Sequence, residues 1–218
     1  SYAPVRDIEQ QLEYFQKQIA KDLEQPEGLG DDQRDRIDKN ASTLAVLALV
    51  LAHHDEDSPL KASATAMIPA AQRLAAASQD YKQAHEAMES LRKVEKQEGD
   101  PSVEWEPVAD LSVLMKQVPI VNNRLRRGVN GRRFGRSLNQ NAGLAATLAS
   151  LAQASALDTT YCDDEEDEKA WHLICSDMRD TAAMVNAAVR DMDQKGAKVA
   201  LQRLAESCDA CHHRFRDE

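Results

Sequence analysis

The sequence predicts an all-α protein made of two antiparallel four-helix bundles, the second a duplicate of the first. Three observations carry this expectation. Hydrophobic residues make up 42% of the chain and aromatics only 4%, so the cores must be built from Ala, Leu, Val and Met, a mixture that favours helix over strand. Eight Gly and seven Pro in 218 residues are few for a turn-rich β protein, and no segment alternates apolar and polar residues convincingly. The third observation is a repeat, which emerges once the helices are placed.

Polar breaks separate the helices. In the first half the pattern predicts helices over 5–24, 32–52, 59–78 and 81–96. "EQPEGLGDD" parts the first two, "HHDEDSP" follows the second, and Pro59 suits the start of the third. "QEGDPSVEWEP" reads as a linker. In the second half helices are expected over 108–127, 138–156, 166–191 and 194–216, with "GVNGRRFG" and "LDTTYCDD" as the main breaks. Three phrases recur in the same order: "PVRDI" and "PVADL", "NASTLAVLA" and "NAGLAATLA", "AHEAMESL" and "AKVALQRL". Their offsets imply a longer connection before the third helix of the second copy. The domains are therefore placed at 1–100 and 101–218, each the size of an antiparallel four-helix bundle with short loops.

A net charge of −10 argues against a nucleic-acid partner. The longest apolar stretch, "LAVLALVLA", is too short to span a bilayer, so no membrane insertion is expected. The opening "SYAPVRDIEQ" is polar and holds no secretory signal, which fits either a cytosolic chain or a trimmed secreted one.

The chemistry concentrates in "SCDACHHRFRDE". Cys208, Cys211 and His212 stand at i, i+3 and i+4, near one face of a helix. A thioredoxin-like redox pair would need a βαβ context that is absent. A zinc site would need four ligands, and a second cysteine pair at suitable spacing is missing, although a haem-free protein with a zinc site in this tail remains a weaker alternative. C-x-x-C-H is also the signature of covalent haem attachment: the thiols add to the haem vinyl groups and the imidazole ligates iron.

At this point residues 107–218 resemble the class II c-type cytochromes, cytochrome c′ and its relatives of the c-556 type. Their last helix carries C-x-x-C-H-x-x-[YF]-R near its end, matched here by Cys208, Cys211, His212, Phe215 and Arg216. The resemblance implies one haem c with His212 as proximal iron ligand and a periplasmic or otherwise extracytoplasmic location. It also implies one-electron transfer to a soluble or membrane-bound redox partner protein, with no enzymatic reaction. In c-556-type members a methionine of the first bundle helix binds iron on the other side, and Met115 stands in that helix as the possible distal ligand. Met/His ligation raises the potential of a c-type haem. Pro119 removes the hydrogen bond to the Met115 carbonyl and should bend the helix there. If Met115 were only a core methionine, a high-spin haem binding NO or CO is the alternative function. Class II cytochromes often dimerise, so the two bundles are expected to pack as an intramolecular pseudo-dimer. In the first half, Leu12 aligns with Met115, while Glu95, Glu98 and Gly99 align with the attachment motif, so no haem is expected there.

Several further features have plain readings. A bridge between Cys162 and Cys175 would tie down the longer connection of the second copy, and two free thiols are the other reading. Six arginines between Arg124 and Arg136 suit a solvated basic loop or a docking patch for an acidic partner. "DDEEDE" fits an acid-rich helix N-terminus. His53 and His54 are expected at the surface, and Trp171 in the core.

Overall fold

A computed structural model describes residues 2–24, 29–94, 103–132 and 134–215. All regular structure among them is helical: α1 (Val5–Asp22), α2 (Asp31–Ala52), α3 (Lys61–Ala76), α4 (Tyr81–Val94), α5 (Leu111–Asn130), α6 (Leu138–Ser155), α7 (Glu165–Arg190) and α8 (Gln194–Phe215), with a short 3₁₀ turn at Phe134–Arg136. None of these helices is long and apolar enough to cross a membrane.

The chain divides into two compact units, residues 3–117 and residues 118–218 together with Tyr2. The division falls inside α5 rather than at 100/101. Its cause is visible in the first unit, where Trp105 and Val108, at the end of and just after the stretch read as a linker, are held on the helices. The rings of His53 and Trp105 stack with centroids 4.5 Å apart, and Gln72 Nε2 donates to the Val108 carbonyl at 3.0 Å. Gln117 Nε2 reaches Asn40 Oδ1 at 3.3 Å. Burial is the main cause that lowers the His53 pKa.

In the first unit α1 packs on α2, α2 on α3 and α3 on α4. α1 buries Ile8, Leu12, Phe15 and Ile19, a single stripe at helical spacing. α2 is different: every residue from Ala41 to Leu51 is buried, as expected of a helix that is apolar all round. His54 is buried rather than exposed, because its Nε2 pairs with the Ala3 carbonyl at 2.9 Å while its Nδ1 accepts from the Glu56 N–H. α3 starts two residues after Pro59, since the Ser58 hydroxyl first accepts the Leu60 N–H and closes a turn.

In the second unit α6 packs on α7 and α7 on α8. α6 repeats the pattern of α2, with Asn141 to Ala152 buried throughout. α5 runs from Leu111 to Asn130, three residues later at both ends than the sequence suggests. Asp110 sets the start by accepting the Ser112 N–H at 2.7 Å. Gly128 does not end the helix. A Cβ there would lie 1.9 Å from Asn141 Oδ1, so glycine lets α5 approach α6. The extra length of this half lies mainly in α7 itself, 26 residues against 16 for α3, rather than in the connection before it. Asp164 caps α7 by accepting the Glu166 and Asp167 N–H groups at 2.9 Å, and four acidic residues fill its first turn.

Candidate functional site

The last turn of α8 carries the cysteine–histidine motif. Asp193 starts that helix by accepting the Gly196 N–H at 2.8 Å, and Ala197, Ala200, Leu201, Leu204 and Ser207 form its buried stripe. Cys208 and Cys211 flank this stripe and are half-buried, while His212 and His213 are exposed. At 100° per residue Cys208, Cys211 and His212 fall within an arc of about 100°.

The tail is anchored on α7. Phe215 meets Trp171 edge-on, with ring centroids 5.1 Å apart. Trp171 is buried as expected, and its Nε1 donates to the Ser155 carbonyl at 2.9 Å, which fixes the indole against the end of α6. Arg214 donates through Nε and Nη2 to Asp167 Oδ1, at 3.1 and 2.9 Å. Both anchors act within one turn of the motif, so the thiols sit on an ordered helix end.

All four cysteines are free thiols, and all four lie in the second unit. Burial pushes Cys175 up to about 12, with the Cys211 and Cys162 thiols adding to the shift. Cys211 is raised to about 11 by burial first, then by Cys208 and Cys162. Burial also raises Cys208, and it raises Cys162 with the help of Asp167, Glu168 and Asp163. These are protonated, weakly nucleophilic thiols at neutral pH. The approach of Cys162 and Cys175 to the motif could not be read from the sequence, because it depends on the register between α7 and α8.

Of the other residues singled out, Met115 is half-buried on α5, beside the buried Leu111, Leu114 and Val118. It belongs to the first unit, so the second unit taken alone does not contain it. α5 continues as α-helix through Pro119, whose ring is exposed. Arg216 lies outside the described residues, as do Arg133, Glu95, Glu98 and Gly99. No group of three or more His, Cys, Asp or Glu among the described residues is arranged to hold a metal ion. No protein-family model, no curated protein and no solved structure matches the chain.

Proposed function

We propose that the chain is a c-type cytochrome of the class II kind, built from two antiparallel four-helix bundles related by duplication. The second bundle carries one covalent haem c, and the function is one-electron exchange with a redox partner protein in an extracytoplasmic compartment. The observation that carries this reading is the placement of Cys208, Cys211 and His212 on one anchored turn of α8. Support for the duplication comes from α2 and α6, which hold the matching phrases "NASTLAVLA" and "NAGLAATLA" and are each buried on every side over 41–51 and 141–152.

The donor set suits the group. Cys208 and Cys211 would form the two thioether bonds, and His212, next in the chain and exposed, would offer its imidazole to iron. Bound there, the haem would supply the one-electron iron couple, while the protein sets its ligands, burial and docking surface. The Trp171–Phe215 contact and the Arg214–Asp167 ion pair hold the attachment turn against fraying. The arginines that follow Arg124 on α5 offer a surface for an acidic partner.

The test is chemical. Chain exported through a cell with haem-attachment machinery should gain the mass of one haem that survives acid denaturation. It should also give the spectrum of a thioether-linked haem in alkaline pyridine. Haem lost to acid extraction, no haem at all, or two haems per chain overturns the reading.

A further inference from the structure

Cys162 and Cys175 have no place in haem attachment, yet both stand beside the motif. α7 and α8 run antiparallel across the turn at 191–193, and the Trp171–Phe215 contact fixes their register. One turn inward on each helix sets Cys175 opposite Cys211. The residues that the same register sets opposite one another, Ala182 and Leu204, Val185 and Leu201, and Val189 and Ala197, are all buried, as two helices packed in that register require. Cys162 arrives from the turn before α7, where its N–H donates to the Thr159 carbonyl at 2.9 Å. The Arg214–Asp167 bonds draw the end of α8 to the first turn of α7, which begins three residues after Cys162. The electrostatics agree with this geometry: Cys175 feels Cys211 and Cys162, and Cys211 feels Cys208 and Cys162.

Cys162, Cys175 and Cys211 therefore form a triangle of neighbouring thiols, to which Cys208 joins through Cys211. Two of the three pairings in the triangle consume Cys211. The third leaves both motif thiols reduced. We propose that Cys162 and Cys175 form a disulfide in the mature protein, and that this bond keeps Cys175 and Cys162 from mispairing with Cys211 before haem is attached. The protective role rests on the haem reading; the disulfide itself does not.

The oxidant is a disulfide of the thiol–disulfide exchange class. Cys162, the less buried of the two, loses its proton to solvent, attacks the oxidant through the small fraction present as thiolate and forms a mixed disulfide, releasing one thiol of the oxidant. Cys175 then displaces the second thiol and closes the Cys162–Cys175 bond. Two protons and two electrons pass from the protein thiols to the oxidant, whose own S–S bond is broken.

The experiment uses the full chain equilibrated with glutathione disulfide, then denatured, alkylated and mapped by mass spectrometry. The expected result is a Cys162–Cys175 linked peptide with Cys208 and Cys211 both alkylated. Linkage of Cys175 or Cys162 to Cys211, a Cys208–Cys211 bond, or four alkylated thiols overturns the disulfide. Haem loading in cells with attachment machinery tests its role. Cys162→Ser should shift Cys175 onto Cys211 and lower loading several-fold, while Cys162→Ser/Cys175→Ser, which leaves no competing thiol, should load like wild type. An equal loss in the double variant, with helical content retained by circular dichroism, overturns the protective role. Wild type that forms the Cys162–Cys175 bond and takes no haem overturns the haem reading and the protective role together, and leaves the disulfide standing.

Discussion

The Cys175 thiol is buried on α7, and its upward shift makes folding stability depend on alkaline pH. Its ordinary value is 9.0 and its folded value about 12. Between those limits the unfolded chain loses the proton while the folded chain keeps it. The unfolded state then binds fewer protons, so stability falls as pH rises. In the reduced, haem-free protein we expect an alkaline loss of about 2–3 kcal/mol between pH 9 and 11 from this group. Denaturant melts of wild type and Cys175→Ser across that range check it: the variant should lose less, and parallel curves would contradict the assignment. Phe215 gives a second prediction at this scale. Replacing it with Ala removes the edge-on partner of Trp171 and should cost about 1–3 kcal/mol. Amides over 208–215 should then exchange faster than those at the start of α8. The cysteine–histidine motif was legible because its residues are neighbours in sequence. The two further cysteines were visible in the sequence as a possible bridge or two free thiols, but not as neighbours of the motif, since tertiary register brings them there.

At the scale of elements, the eight helices were legible from apolar period and polar breaks, and most boundaries fell within two residues. The larger departures share a cause: a residue whose role is tertiary was read as local punctuation. Gly128 looked like a stop, yet α5 runs through it because the glycine faces Asn141. Asp110 moves the start of α5 three residues beyond the expected one, because its carboxylate accepts the Ser112 N–H. Gly128→Ala should destabilise the protein by about 1–3 kcal/mol, since the new methyl group overlaps Asn141 Oδ1. Adding Asn141→Ala removes the obstacle, along with a buried amide whose Nδ2 has no hydrogen-bond partner. The double variant should therefore be more stable than the sum of the single effects predicts, a coupling that a double-mutant cycle measures. Strict additivity would mean that α5 shifts away from α6 instead of packing against that amide.

For the molecule as a whole, the proposed function turns on the sixth position of the iron. The resemblance assigns Met115 and His212 to opposite sides of one haem. Thioether sulfur favours Fe(II), so its coordination should raise the potential and fill the position that a gas would otherwise take. The expected wild-type protein is therefore low spin in both oxidation states and slow to bind CO. Met115→Ala should become high spin, bind CO rapidly and show a lower midpoint potential. Met115→Leu should do the same, which separates ligation from packing because leucine nearly conserves the volume. On the proposed reading the haem should remain covalent in both variants, as its proposed attachment is through Cys208 and Cys211 and not through α5. A wild type that is already high spin and CO-reactive, with neither substitution changing its spectrum, would place Met115 outside the iron's coordination. Electron transfer would then lose its main support, and the same attachment turn on α8 would be better explained as the base of a module that binds NO or CO.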